Sequence, residues 1–93
     1  MMNPYRKKPV DITAQQHHGS YESARELAEI CGGTVEVIDI HRHGYFDYIV
    51  KITTLEGVMI CGASDWMIRG VKGEYYPCKA DIFSATYDEE PTP

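Results

Sequence analysis

The chain has 93 residues, 43% of them hydrophobic and 25% charged, with a formal net charge of −5 at pH 7. This composition is too apolar for a disordered chain, and the length suits one domain built on a single apolar core. No apolar run approaches the ~20 residues that a membrane-spanning helix needs. The acidic balance disfavours nonspecific binding to duplex nucleic acid, which needs Lys and Arg to displace phosphate counterions.

The N-terminus and the cysteines indicate the cellular compartment. The start "MMNPYRKKPVDIT" is charged but lacks the apolar segment of a secretory signal. The three cysteines, Cys31, Cys61 and Cys78, are odd in number and form no CxxC pair. Neither a disulfide framework nor a zinc ribbon is supported by such spacing. We therefore expect a cytoplasmic protein with reduced thiols.

The first third of the sequence predicts a strand followed by a helix. From Val10, apolar and polar residues alternate, which is typical of a half-buried strand. The segment "GSYESARELAEICGG" has Ser20 as an N-cap, and its Gly32-Gly33 pair ends the helix. Apolar side chains recur at helical spacing along one face of this helix, at Tyr21, Ala24, Leu27, Ala28 and Cys31.

The middle of the sequence predicts three strands joined by turns. Residues 34–40 are β-branched and apolar, and residues 46–53 alternate in polarity after a turn at Gly44. A second turn at Glu56-Gly57 leads into residues 58–61. This pattern is that of an antiparallel meander with one solvated face.

The stretch "DWMIRGVKGEYYPC" predicts a β-hairpin with a two-residue loop at Lys72-Gly73, where glycine supplies the positive φ. This register has three cross-strand pairs next to the loop, which are Val71 with Glu74, Gly70 with Tyr75, and Arg69 with Tyr76. The Tyr75 ring would then cover Gly70, and Arg69 would make a cation–π contact with Tyr76. Pro77 ends the ladder on its side of the hairpin.

After the hairpin, "DIFSATY" predicts a last strand with Phe83, Ala85 and Tyr87 on one face. Residues 88–93 form an acidic, proline-containing tail that we expect to be flexible. Together these elements predict a single compact domain over residues 1–87. Its fold class is α+β, a curled antiparallel sheet of about six strands with one helix packed on it.

Two groups of side chains suggest chemistry. His41 and His43 would share one face of a strand and chelate a metal with His17 or His18, unless they form only an exposed hairpin tip. Cys78 precedes Lys79, whose charge would lower the thiol pKa, and so is the candidate nucleophile of a thiol enzyme. The other two cysteines lie on apolar faces, where buried, inert thiols are expected.

No Ser–His–Asp order, paired catalytic carboxylates or phosphate-binding loop occurs in the sequence. A non-enzymatic protein without a cofactor or bound metal is therefore expected. The alternative is a small metal- or thiol-dependent enzyme.

The hairpin combines fixed charges and rigid rings, which is the mixture that a partner or a small ligand meets at a recognition surface. The candidate binding residues are Asp65, Trp66, Arg69, Lys72, Glu74, Tyr75 and Tyr76. Their expected partner is a host protein or a small anionic ligand such as a nucleotide. In the structural alternative, Trp66 and Ile68 belong to the core and the charges face solvent.

Two further interactions remain open. Arg6, Lys7 and Lys8 form a short basic cluster that, with Tyr5 and the hairpin tyrosines, would bind single-stranded nucleic acid by stacking. The acidic balance of the chain argues against that alternative. Exposed edge strands in so small a sheet would also favour a homodimer.

Two blocks of the sequence, "YRKKPVDITAQQ" and "TLEGVMICGASDWMIRGVKGEYYPCKADIFSATYDEE", resemble a family of short proteins from tailed bacteriophages and prophages. This family is related to the domain named for a Pro-Gly-Asp-Tyr-Gly signature. The residues that carry the likeness in the second block are Gly57, Asp65, Trp66, Gly70, Gly73, Glu74, Tyr76, Pro77, Phe83 and Tyr87. Before Asp65, Ala63 and Ser64 stand where the signature has Pro-Gly.

The resemblance implies a phage origin and a compact, β-rich fold, and it brings no catalytic residues to carry over. Small phage proteins of this kind often inhibit host machinery or antiviral defence. We therefore expect an accessory binding protein that acts in the host cytoplasm, an expectation by analogy.

Overall fold

The computed structural model describes residues 1–6, 8–39 and 46–89. The elements follow one another as β1 (Thr13–Gln16), α1 (Tyr21–Cys31), β2 (Thr34–Asp39), β3 (Phe46–Thr54), β4 (Gly57–Cys61), β5 (Trp66–Arg69), β6 (Tyr75–Cys78) and α2 (Ala80–Thr86). The predicted α+β class with six antiparallel strands is confirmed. Neither helix in these ranges is long and apolar enough to cross a membrane.

The six strands form two antiparallel sheets of three strands each instead of one curled sheet. One sheet has the order β1-β5-β6 and the other has the order β2-β3-β4. Strands β4 and β6 are edge strands of different sheets, and they lie next to each other. The two sheets are joined by side-chain packing at this boundary.

Helix α1 begins and ends where its sequence predicts. The Ser20 hydroxyl accepts a hydrogen bond from the Ser23 N–H at 3.1 Å, and Gly32 closes the helix with φ 74°. The Gly32 N–H donates to the Ala28 carbonyl oxygen at 2.9 Å. Glycine takes this left-handed conformation without the steric cost that a Cβ brings.

The apolar face of α1 packs on the inner face of the β2-β3-β4 sheet. Ala24 and Leu27 are fully buried there, and Val50 lies opposite Cys61 in the β3–β4 ladder. Met67 of β5 joins the same cluster from the other sheet. Burial of these side chains gives the main favourable contribution to folding, because it removes apolar surface from water.

The predicted last strand is wrong, because residues Ala80–Thr86 form helix α2. The Phe83 N–H donates to the Lys79 carbonyl oxygen at 2.8 Å, and the Tyr87 N–H donates to the Phe83 carbonyl oxygen at 2.9 Å. Phe83 and Tyr87 are four residues apart, a spacing that puts two side chains on one face of either a strand or a helix. Stacking of Phe83 on Trp66 favours the helix.

The β5–β6 hairpin is confirmed, but its predicted register is wrong by one residue. Arg69 pairs with Tyr75 and Ile68 pairs with Tyr76. The Gly70 N–H donates to the Glu74 carbonyl oxygen at 2.7 Å, so three residues form the loop instead of two. Gly73, with φ 80°, closes this longer loop in the left-handed conformation that three-residue hairpin loops favour.

Candidate functional site

A cleft of about 670 Å³ opens at the boundary of the two sheets, between the β3–β4 turn and the start of β6. Ile52 and Met59, paired across β3 and β4, provide apolar wall, and Cys31 reaches it from the end of α1. Tyr75 and Tyr76 line the side that β6 contributes. The remaining lining residues are Thr53, Thr54, Leu55, Glu56 and Glu74.

The turn at the edge of this cleft is fixed by its own hydrogen bonds. The Thr54 hydroxyl donates to the Gly57 carbonyl oxygen at 2.9 Å and accepts from the Glu56 N–H at 3.0 Å. Such a local bond from a threonine side chain stabilises a turn. Leu55 is thereby held fully exposed at the edge of an apolar cavity.

Glu56 and Glu74 are the charged side chains on the described walls of the cleft. Glu74 Oε1 accepts from the Lys72 N–H at 3.5 Å, and the carboxylate lies over Gly70. A Cβ at Gly70 would overlap that carboxylate and would lie 3.2 Å from the Tyr76 ring. The absence of a side chain at Gly70 therefore lets Glu74 fold back over the hairpin.

The predicted pairing of Arg69 with Tyr76 and of Tyr75 with Gly70 is wrong. Because the register is shifted by one residue, Arg69 lies opposite Tyr75 instead. The Arg69 guanidinium lies above the loop, with Nη2 3.8 Å from where a Cβ of Gly73 would stand. Arg69 also lines a neighbouring cavity of about 250 Å³ with Tyr75. Lys72 is exposed in the loop and does not line the main cleft.

Asp65 lies outside the cleft and is largely buried. Its Oδ2 accepts from the Gly62 N–H at 2.9 Å and from the Lys79 ammonium at 3.1 Å. The Asp65 N–H in turn donates to the Gly62 carbonyl oxygen at 3.1 Å, across a turn in which Ser64 has φ 72°. A tight turn therefore forms at Ala63-Ser64, and Asp65 stabilises it.

Trp66 faces the opposite side of the β1-β5-β6 sheet from Met67. Its indole stacks on Phe83 with ring centroids 4.1 Å apart, and Tyr87 lies 5.1 Å from Phe83. Ile68, on the same face as Trp66, is fully buried. These rings hold α2 on the sheet, and Trp66 itself is half-buried.

Tyr76 connects the hairpin to α2. Burial and a hydrogen bond with Tyr87 raise the pKa of Tyr76 to about 12. The phenol is therefore neutral at physiological pH and donates or accepts a hydrogen bond without carrying charge.

Two of the thiols, Cys31 and Cys61, are poor nucleophiles. Burial raises the pKa of Cys31, and burial with the nearby Asp65 carboxylate raises the pKa of Cys61 to about 12. Thiolates, which are the reactive form, are scarce at neutral pH under such conditions. Lys79, the expected activator of Cys78, directs its ammonium to Asp65.

A buried His–Ser pair is the polar feature that sequence reasoning missed. His17 Nδ1 lies 3.0 Å from Ser23 Oγ, and the Tyr48 carbonyl oxygen is the partner of Nε2. Ser23 Oγ also accepts from the His18 N–H at 2.9 Å. Because both side chains are buried and fully hydrogen-bonded, the pair ties β1, α1 and β3 together. The adjacent "HH" was the signal in the sequence.

The remaining candidates are only partly described. His41 and His43 lie outside the described residues, and so does Lys7; Tyr5, Arg6 and Lys8 are exposed. Within residues 1–6, 8–39 and 46–89, no three His, Cys, Asp or Glu side chains are grouped closely enough to hold a metal ion.

Comparison with known protein families, characterised proteins and solved structures returned no match to this chain. The likeness to short phage proteins therefore stays a prediction from the two sequence blocks. The cleft beside Tyr75 and Tyr76 is the candidate functional site.

Proposed function

We propose that the protein is a non-enzymatic binding module whose recognition site is the cleft between the β3–β4 turn and β6. One observation carries this proposal, which is an open, largely apolar cavity of about 670 Å³ with Leu55 fully exposed at its edge. Cavities of this size and polarity are typical of sites for small molecules or for a partner's side chains. Exposed apolar residues beside a cavity are typical of binding surfaces.

The chemistry of the neighbouring groups favours binding over catalysis. The Ser23 hydroxyl is buried and engaged by two partners, so a substrate has no route to it. Cys31, the thiol that lines the cleft, has a raised pKa. A nucleophile needs both access and an activating base, and neither group combines them.

The setting follows from the resemblance to phage proteins. We propose that the chain is a phage or prophage accessory protein that binds a component of the host cytoplasm, and that this component belongs to host machinery or antiviral defence. Three of the predicted residues, Glu74, Tyr75 and Tyr76, line the cleft and form its β6 side.

The test is to express the chain in a bacterial host and to analyse the copurified material by native mass spectrometry. The intact complex reports a bound protein, and denatured extracts report released small molecules. The expected result is one stoichiometric companion of the wild-type protein that is lost from Leu55→Asp. The new carboxylate at the fully exposed edge of the cleft would oppose an apolar contact, and the fold should remain intact.

Ile82→Asp is the matched control, because Ile82 is 56% exposed on α2, away from the cleft. This variant should keep the companion. If both variants keep it, the companion binds elsewhere and the cleft is not the recognition site. If the wild type carries no companion even after infection of the host, the proposal of a host-binding module is wrong.

A further inference from the structure

The charge of the cleft indicates which of the ligands that fit its volume would bind there. Its described lining contains the carboxylates of Glu56 and Glu74 and no Lys, Arg or His side chain. The Glu74 carboxylate lies over Gly70, and its Oε1 accepts a long hydrogen bond of 3.5 Å from the Lys72 N–H. An anion in the cleft would meet two like charges without a counter-charge, whereas a cation would meet two opposite ones.

The basic side chains of the hairpin do not reverse this preference. Arg69 is on the face of β5 that carries Met67, and its guanidinium extends over the loop at Gly73. It lines the smaller cavity of about 250 Å³ and does not line the main cleft. Arg69 therefore gives the main cleft no counter-charge for an anion.

The Tyr76 ring strengthens the preference for a positive charge. The ring face of a tyrosine attracts an ammonium group through its quadrupole, by about 0.5–1 kcal/mol at exposed sites. The phenol of Tyr76 stays neutral up to strongly alkaline pH, because burial and the Tyr87 hydrogen bond raise its pKa. The β6 side of the cleft thus presents the Tyr76 ring on the same face as the Glu74 carboxylate.

We propose that the cleft binds a small organic cation. Its apolar body would lie against Ile52 and Met59, and its ammonium group would lie on the side of the cleft that the carboxylates and the Tyr76 ring provide. This inference rests on the proposed function of the cleft and replaces the anionic ligand expected from the sequence. The volume of about 670 Å³ admits a ligand of one or two rings.

The test uses three probes of similar shape and different charge, which are phenethylammonium, phenethyl alcohol and phenylacetate. Each is titrated into the full chain at pH 7 and low salt, and the methyl NMR signals of Ile52 and Met59 report binding in the cleft. We expect the cation to bind about tenfold more tightly than the alcohol, and phenylacetate to bind most weakly. Added salt should weaken binding of the cation and leave the alcohol unchanged.

The double variant Glu56→Gln with Glu74→Gln keeps the shape of the cleft and removes its charge. It should lower the affinity for phenethylammonium about tenfold, as expected when two partly exposed ion pairs are lost, and leave the alcohol unaffected. Glu26→Gln, on the exposed outer face of α1, makes the same chemical change away from the cleft and should alter neither affinity.

The outcomes separate this inference from the proposed function. Equal binding of the cation and the alcohol, or an unchanged cation affinity in the double variant, would overturn the cation preference while the cleft remained a binding site. Tighter binding of phenylacetate would restore the anionic ligand. No shift of the Ile52 and Met59 signals with any probe would overturn both the cation site and the cleft as a small-molecule site.

Discussion

Replacement of His17 by alanine should destabilise the protein more than any other single histidine change among the described residues. The imidazole is fully buried, and both of its nitrogens have partners. Nε2 faces the Tyr48 carbonyl oxygen and therefore carries the proton. Nδ1 then accepts from the Ser23 hydroxyl at 3.0 Å and from the Gly19 N–H at 3.3 Å.

The size of the effect follows from two losses in the folded state. Truncation of a large, fully buried side chain costs about 2–5 kcal/mol, because the surroundings collapse only in part around the cavity. Each buried polar group left without a partner costs about 1–3 kcal/mol more, unless a water molecule enters. We therefore expect His17→Ala to lower the free energy of unfolding by about 4 kcal/mol. A domain whose total free energy of unfolding is roughly 5–15 kcal/mol would then be only marginally stable.

The assay is equilibrium unfolding in urea, followed by circular dichroism and by the fluorescence of Trp66. His18→Ala is the matched control, because His18 is exposed and its N–H, which bonds to Ser23, survives the substitution. That variant should change stability by less than about 0.5 kcal/mol. If His17→Ala does not fold, His17→Gln keeps one donor and one acceptor and should show about half the loss. A loss below about 1 kcal/mol in His17→Ala would refute the network as a stabilising element.

Three other predictions concern the turn before β5 and the titrating groups. Ser64→Gly should raise the melting temperature, because Ser64 has φ 72° and a residue with a Cβ in this left-handed conformation loses about 1–2 kcal/mol of stability. The greater flexibility of glycine in the unfolded chain offsets part of this gain. An unchanged or lower melting temperature would show that this turn is unstrained. Asp65→Ala should lower the free energy of unfolding in urea by about 2 kcal/mol, since it leaves the Gly62 N–H without its acceptor. Lys79→Ala should lower it by less than about 1 kcal/mol, because the Lys79 side chain is largely exposed. Cys61 and Tyr76 have pKa values raised to about 12 in the folded state. Their contribution to stability should therefore be complete below about pH 9 and be lost as the pH rises to about 12. Urea midpoints that stay constant over that pH range would contradict this prediction.

Local signals in the sequence predicted the elements whose ends are fixed by neighbouring residues. Helix α1 begins after Ser20 and ends at Gly32, because an N-cap hydroxyl and a left-handed glycine act within one turn. The β3–β4 hairpin was predicted within one residue for the same reason. Its turn chemistry lies between two strands whose alternation is unambiguous.

Signals that depend on distant contacts misled the prediction. Two-residue and three-residue loops both place Gly73 at a positive φ, so the glycine alone does not fix the register of the hairpin. A shift of one residue then changes every cross-strand partner, and with it the expected contact of Arg69 with Tyr76. Likewise, stacking of Phe83 on Trp66 decides between helix and strand, and it joins residues far apart in the sequence.

The division of the strands into two sheets explains why a cleft exists. A single curled sheet would hydrogen-bond β4 to β6 and bring their side chains into one continuous layer. Here β4 and β6 are edge strands of separate sheets, and the space between their loops is lined by Ile52, Met59 and Tyr75. Such a gap forfeits packing contacts that a filled core would have. Leu55, fully exposed beside the gap, adds apolar surface that only an occupant would cover. The cost in stability at this one boundary is therefore the physical reason to place the proposed binding function there.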